Sequence, residues 1–392
     1  MVAVPAPAPM PPPVAVGADA EAAAHDLATD VTTPYAGVTR PYLPELWAFR
    51  PGFFMQPQFR ENQYSPTTGY QDGFRFARAR VTGVATGRAG NLELSAYFEA
   101  EMEPTFSLYD AYVTAKRQLP NDQYVMVDFG QTRVPLGRQN MLSDTRLSFV
   151  DKAQIGYTTI APDRDLGTRV WYKAPKWVRV YGGVFNGEGR DQLQNINDSY
   201  LYAGRVEITP IGREMPFAES YFDGDWLTIG SSIGHNKLNA LATNHQLQLY
   251  DGIDISGAWH GLSASFEYEE VRNTYDGATA TRPPSYNANG FDAQIAYMLP
   301  KKFPPFGESR LEFAARVEEY DRNDAIPITM PGDPNQSERE WTACVSYYLR
   351  KHTLKAQLAA NHYQQIENQT GAGANATFHH DQLLLQVTYR VE

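Results

Sequence analysis

The chain has 392 residues and a net charge of −11, because 34 lysine and arginine residues stand against 45 aspartate and glutamate residues. This balance, with no block of basic residues, excludes a nucleic-acid binder. The single cysteine, Cys344, excludes a disulfide framework and a cysteine-based zinc site. No run of about 18 apolar residues occurs, so a membrane-spanning helix is excluded as well.

The first part of the chain is rich in proline and alanine. Prolines recur between Pro5 and Pro13, and a run of alanines follows them. Proline removes backbone donors, and few residues here could fill a core, so we expect a flexible or polyproline-like arm. The sequence therefore predicts two parts, an arm over residues 1–48 and a structured part over residues 49–392.

From about Phe49 onward, apolar and polar residues alternate with period two, which is the pattern of β-strands. Phe98, for example, falls on one face of its segment, whereas Glu99 and Glu101 fall on the other. Most segments approach the roughly 9–11 residues that a tilted strand needs to cross a bilayer. Sixteen segments show the pattern: 49–60, 74–86, 91–103, 108–117, 123–131, 166–174, 177–186, 200–209, 226–236, 251–259, 262–272, 289–299, 308–320, 338–350, 352–363 and 381–391.

The connections between these segments alternate between short turns and long loops rich in Gly, Asn, Asp and Pro. Two connections break the rule, because 104–107 is short and 210–225 is long for a turn. Short turns on one side and long loops on the other are typical of a membrane barrel, in which every backbone group pairs internally. The sequence therefore predicts an all-β fold, a sixteen-stranded antiparallel transmembrane β-barrel; a soluble double sandwich is the alternative.

Several stretches carry a family resemblance. They are FRFARARV (74–81), LYDAYV (108–113), FGQTRVPLGRQ (129–139), SDTRLSFVDKA (143–153), APDRDLGTRVWY (161–172) and VYGGVFNGEG (180–189). In order and spacing, residues 74–190 resemble the phosphate-selective porin O/P family of Gram-negative outer membranes. The resemblance implies a homotrimeric diffusion pore in contact with membrane lipid and lipopolysaccharide, with both termini in the periplasm. It also implies that the third loop, about 132–165, folds inward and narrows the channel.

The third loop is the first candidate site. Arginine in a narrow pore attracts anions, because the low-dielectric wall focuses its field. The alternative is that Arg164 and Arg169 pair with Asp163 and Asp165 and only fix the loop. A local charge of +2 results from Arg133, Arg138, Arg146, Lys152, Arg164 and Arg169 against Asp144, Asp151, Asp163 and Asp165.

A second candidate is a basic wall, which strand parity predicts on consecutive strands of the lumen. It consists of Arg169, Lys173, Arg179 and Arg205, and we expect Asp128, Glu99 and Glu101 to line the pore as well. Opposed charges across a pore create a transverse field. The alternative is pairing between neighbours, such as Arg78 with Glu99 and Arg205 with Glu207.

These features predict a passive pore for small hydrophilic solutes, selective for anions such as phosphate. The runner-up is a non-transporting barrel that acts as an anchor or adhesin, with residues 1–48 bound to the cell wall or another partner. An outer-membrane hydrolase is a third class, but no nucleophile and base stand at a suitable spacing. We therefore expect no enzymatic activity, no cofactor and no metal.

Overall fold

The computed structural model describes residues 48–62, 72–156, 162–174, 177–192, 194–196, 199–212, 218–219, 224–239, 245–275, 285–300, 309–322, 324, 337–365 and 379–391. The predicted arm, residues 1–48, lies outside these residues except for Ala48, at which the first strand begins.

The described chain forms sixteen strands: β1 (Ala48–Asn62), β2 (Gly73–Ala89), β3 (Leu92–Glu101), β4 (Ser107–Leu119), β5 (Gln123–Arg133), β6 (Arg164–Lys173), β7 (Val178–Phe185), β8 (Leu201–Ile211), β9 (Trp226–Asn239), β10 (His245–Trp259), β11 (Leu262–Tyr275), β12 (Tyr286–Met298), β13 (Arg310–Asp321), β14 (Glu338–Arg350), β15 (Leu354–Gln365) and β16 (His379–Val391). A four-residue helix, α1 (Arg138–Met141), and a 3-10 turn (Gln154–Gly156) lie between β5 and β6.

The strands close into a barrel. Each strand pairs antiparallel with its neighbours in the chain, and β1 pairs with β16. The predicted sixteen-stranded antiparallel barrel is therefore confirmed. The largest error in a strand start is at β10, which begins at His245 rather than at 251. Asp251 occupies an outward position there and interrupts the apolar stripe on which the prediction depended.

The barrel carries its apolar side chains outside and its charged side chains inside. Phe129 is 64% exposed and Phe266 is 40% exposed, whereas Asp128 and Glu267, the residues next to them in the chain, are buried. This is the reverse of a soluble barrel and matches strands that meet lipid. Neither α1 nor any other helix of the described residues is long and apolar enough to cross a membrane.

The connection between β5 and β6 covers residues 134–163 and is called the inner loop below. It is two residues shorter at each end than the predicted 132–165, because β5 continues to Arg133 and β6 begins at Arg164. Its residues from Val134 to Val150 are buried. Phe149 and Val150 of the inner loop belong to one apolar cluster with inward-facing residues of β12 to β16, which are Ala296, Ala314, Cys344, Ala359 and Leu384.

Candidate functional site

The inner loop contacts the inward faces of strands far from its own ends. Lys355 Nζ on β15 donates to the carbonyl oxygen of Leu147 at 2.5 Å, and Ser346 Oγ on β14 donates to that of Ser148 at 2.9 Å. Arg316 on β13 donates to the carbonyl oxygen of Asp151 at 3.0 Å. The loop main chain therefore reaches across the lumen to the wall opposite β5 and β6.

A row of carboxylates lies on that opposite wall. Strand register places one acid on each of five successive strands, β10 to β14, and each acid stands directly opposite the next. We call this row the acid arc; its members are Asp254, Glu267, Asp292, Glu318 and Glu340. Like charges directly opposite each other destabilise a sheet. The arc therefore needs groups that compensate its charge.

Main-chain N–H groups of the inner loop supply part of that compensation. Glu267 accepts hydrogen bonds from the main-chain nitrogens of Arg138 and Gln139, the latter at 2.8 Å. Glu318 accepts from the main-chain nitrogen of Gln154 at 2.7 Å. Outside the arc, Glu219 accepts from that of Ser148 at 2.9 Å. Hydrogen bonds to a charged acceptor are among the stronger ones.

The β2–β4 side of the lumen is organised by ion pairs between side chains. Arg80 lies 2.7 Å from Glu99, 2.7 Å from Glu101 and 2.7 Å from Asp144 of the inner loop. Its guanidinium also stacks on Tyr109, and Arg164 stacks on the same ring; each guanidinium carbon lies 3.7 Å from the ring centroid. The β2 side therefore holds the loop through Asp144.

The prediction that Arg78 pairs with Glu99 is wrong. Register places Arg80 opposite Glu101, whereas Arg78 lies beyond the end of the β2–β3 pairing. Arg78 instead lies 3.4 Å from Asp144 and 3.1 Å from Asp151. The predicted luminal acids Glu99 and Glu101 are thus partners of one arginine rather than open charges.

The charged side chains in and around the inner loop shift one another's pKa values. Burial by itself would raise the pKa of Asp144, but Arg78, Lys152 and Arg80 outweigh it and hold the pKa well below its usual range. Burial, reinforced by Arg133, lowers the pKa of Lys152 to about 8, although Asp144 lies 3.7 Å from its Nζ. The lowered pKa brings the titration of Lys152 close to neutral pH.

The remaining predicted loop residues are buried and differ in their contacts. Arg133 Nη1 donates to the carbonyl oxygens of Asn140 and Leu142, and Arg138 Nη2 donates to that of Ala218. The carbonyl oxygen of Arg146 accepts from the main-chain nitrogen of Glu219 at 2.9 Å. These contacts fold the inner loop on itself and tie it to the β8–β9 connection.

The predicted alternative for Arg164 and Arg169 is half right. Arg164 does pair with Asp163, at 2.5 Å, and also with Asp110 at 3.0 Å. Arg169 does not pair with Asp163 or Asp165. It pairs with Asp128, 2.9 Å away and directly opposite on β5.

The cations of the basic wall are not open, because each of them pairs with a carboxylate. Lys173 pairs with Asp122 at 2.8 Å, and Arg179 pairs with Glu207 at 2.6 Å. Arg205 pairs with Glu207 at 2.9 Å, as the alternative proposed, and also with Asp254 at 2.7 Å.

A glycine on the intervening strand allows the ion pair between Arg205 and Asp254. The two residues lie on β8 and β10, with Gly230 between them on β9. A Cβ at Gly230 would overlap both the guanidinium and the carboxylate. The absence of a side chain at this position therefore lets an ion pair form across an intervening strand.

Sequence reasoning missed that four basic residues on β1 and β2 form one set. We call it the arginine column; it consists of Arg60, Arg75, Arg78 and Arg80. Arg75 and Arg78 stand opposite the inward-facing Gln58 and Gln56, and a register shift between Gln56 and Pro57 aligns them despite their odd spacing. The three arginines of FRFARARV were the available signal, but a regular alternation does not put 75 and 78 on one face.

Two residues of the arginine column, Arg60 and Arg75, form no ion pair among the described residues. Within the part of the chain that the structure describes, Arg60 and Arg75 have no carboxylate within 4 Å; Arg75 Nε donates to Gln58 at 2.7 Å. Both lie near the barrel end at which β1 ends and β2 begins, which is the end with the long connections. Among the same described residues, no group of three His, Cys, Asp or Glu side chains is arranged to hold a metal ion.

Comparison with known proteins adds the family and the fold. A profile of the family described as phosphate-selective porin O and P matches residues 53–390. No curated protein sequence matches the chain. Similar solved structures include an anion-selective porin from Comamonas acidovorans, with a TM-score of 0.60 at 12% identity over 88% of this chain and 100% of that chain.

Two further structures share the fold. The outer membrane channel DcaP of Acinetobacter baumannii has a TM-score of 0.55 at 11% identity, covering 88% of this chain and 97% of that chain. The trimer form of OmpT, an outer membrane protein of Vibrio cholerae, has a TM-score of 0.54 at 9% identity, covering 88% of this chain and 100% of that chain. At these identities the likeness concerns the fold.

Proposed function

The chain belongs to the phosphate-selective porin O and P family and is an outer-membrane porin, and we propose from this premise that its pore prefers small anions, phosphate among them. The proposed preference for anions rests on the arginine column. Guanidinium groups match phosphate oxygens in charge and in geometry. In a narrow passage with low-dielectric walls their field acts strongly on a passing ion.

The column gives an entering anion a continuous approach to the inner loop. Arg60 and Arg75 lie near the long-connection end without an ion-pair partner among the described residues, and Arg78 follows where the inner loop begins to fill the lumen. We assign the constriction itself to Arg133 at the end of β5 and to the loop cations Arg138, Arg146 and Lys152. The paired cations of the basic wall contribute less, because a carboxylate neutralises each of them.

The net charge of −11 does not oppose this preference. Charges more than a Debye length of about 8–10 Å from the ion path are largely screened. In the acid arc, Glu267 and Glu318 face the loop amides and Asp254 faces Arg205. The acids that remain close to the path are thus partly neutralised, whereas Arg60 and Arg75 are not.

We also propose a homotrimer, in line with the trimer form of one similar barrel. An even number of strands puts both ends of the barrel chain on the side of the short turns, which we assign to the periplasm together with the arm 1–48, within reach of the cell wall. The exposed apolar side chains of the strands would then meet membrane lipid, and the long-connection rim would meet lipopolysaccharide.

Solute entry into proteoliposomes tests the proposed function. Phosphate should enter faster than tetramethylammonium through the wild-type porin. Arg75→Glu should slow phosphate entry, whereas Arg117→Glu, which changes the same charge at an exposed position near the short-turn end of β4, should leave it unchanged. Faster entry of the cation, or equal effects of the two substitutions, would contradict the proposal.

A further inference from the structure

We propose that Glu267, Glu318 and Glu219 are positioning residues, which hold the inner loop by its main chain and thereby set the width and selectivity of the pore. This inference rests on the proposed pore function for its consequence, but the docking itself can be tested without any transport. Carboxylates in a pore lumen can attract cations, but these three are hydrogen-bonded to the main chain of the inner loop.

Each of the three acids accepts a hydrogen bond from a main-chain N–H group of the loop, and Glu219 also accepts one from the side chain of Gln139 at 3.3 Å. Glu267 spans the two successive nitrogens at the start of α1, one for each carboxylate oxygen. Glu318 holds the start of the 3-10 turn through Gln154. Glu219 holds the middle of the loop through Ser148. The loop is therefore fixed at three places spread over its described length.

The carbonyl groups of the same segment are held by donors from the same wall. Lys355, Ser346 and Gln357 donate to the carbonyl oxygens between Leu147 and Phe149. Arg316 donates to that of Asp151. The wall thus offers acceptors to the loop N–H groups and donors to the loop carbonyls. A buried main chain requires such pairing, since unpaired groups are costly.

A glycine lets the main chain come this close to the acids. Gly137 has φ of 73°, in the left-handed region that favours glycine. A Cβ at this position would overlap a carboxylate oxygen of Glu269 and approach that of Glu267 to 2.6 Å. The loop can therefore lie against β11 only where residue 137 has no side chain.

The chain carries a natural reporter of this docking. Cys344 is the single cysteine, it is buried, and it faces the lumen in one cluster with Phe149 and Val150 of the inner loop. If the loop leaves the wall, this thiol becomes accessible from the water-filled lumen. A water-soluble maleimide then labels it, and the labelling rate reports the fraction of time that the loop is undocked.

The test uses the full-length porin in detergent micelles, with labelling of Cys344 as the readout. Glu267→Met together with Glu318→Met should raise the labelling rate at least roughly tenfold, since loss of a charge-assisted hydrogen bond shifts an equilibrium by about that factor. The double Gln variant, which keeps an acceptor oxygen at each position, should restore most of the protection. Glu340→Met is the matched control, because Glu340 belongs to the same arc but bonds to Thr342.

Equal labelling of the double Met variant and the wild type would overturn the inference, as would equal exposure in the Glu340→Met control. Heat-modifiable migration on gels establishes that each barrel is folded. If the double Met variant does not fold, Gly137→Ala is the second variant. It displaces the loop by a change in the loop itself, and it should raise the labelling of Cys344 in the same way. Because labelling requires no current, failure of the anion pore and failure of the docking remain distinguishable.

Discussion

The two sides of the lumen use their charges differently. On the β2–β4 side, Arg80 binds the side chains of Glu99 and Glu101, so charge meets charge. On the β10–β14 side, Glu267 and Glu318 bind main-chain N–H groups of the inner loop. The difference teaches that a count of luminal charges does not give the charge that a solute meets. The charge that a solute meets depends on which luminal groups are already paired or hydrogen-bonded.

The largest expected effect is on stability at the β2 side. Arg80→Met leaves Glu99, Glu101 and Asp144 buried without their shared cation, and breaking such a pair typically costs about 3–5 kcal/mol. Arg88→Met is the matched control, because Arg88 pairs with Glu93 at a side-chain exposure of 40% and such pairs contribute about 0–1 kcal/mol. Urea unfolding from lipid vesicles, followed by tryptophan fluorescence, measures both; similar losses would contradict the contrast.

A smaller loss of stability is expected where the inner loop lies against the β10–β14 side. A change there should alter the current through the pore. Gly137→Ala places a side chain in the left-handed region, at a cost of roughly 1–2 kcal/mol, and pushes the inner loop off Glu269. Gly90→Ala has a similar positive φ, but a Cβ there meets no atom within 4 Å. Single-channel conductance should change in the first variant and not in the second. An unchanged conductance at Gly137→Ala would mean that the loop does not set the pore width.

A third effect concerns pH. Lys152 has a pKa of about 8, so it is mostly charged at pH 7 and mostly neutral at pH 9. The preference for chloride over potassium should therefore fall as the pH rises through this range. We expect a change of roughly twofold, as one unit charge about 8 Å away gives in water. Lys152→Met should abolish the dependence and resemble the wild type at high pH; a pH dependence that survives the substitution would assign the titration to another group.

The barrel was predictable because lipid imposes its pattern. Outward positions that meet lipid must be apolar and every backbone group must pair, so the period-two signal is present in all sixteen segments. Where a polar residue faces outward, as at Asp251, the signal failed and the strand start was misplaced. Loop lengths were informative for a related reason, since long connections collect at one end of a closed sheet.

The ion pairs between different strands were not predictable, because they depend on register. The register shift between Gln56 and Pro57 brings Arg75 and Arg78 onto one face, and Gly230 lets Arg205 reach Asp254 across a strand. The docking of the inner loop was even less visible in the sequence. The acids bind main-chain N–H groups, which nearly every residue has, so no residue type marks the contact. One signal was visible: the exceptional length of 210–225, a connection whose Glu219 holds Ser148.

The reversal potential across a potassium chloride gradient tests the central claim most directly, namely that the open arginines of the column rather than the total charge decide selectivity. The wild-type pore should prefer chloride. The double substitution Arg60→Glu and Arg75→Glu should move the potential toward that of potassium, whereas Arg117→Glu should leave it in place. A wild-type pore that already prefers potassium, or a potential that the double substitution does not move, would contradict the account.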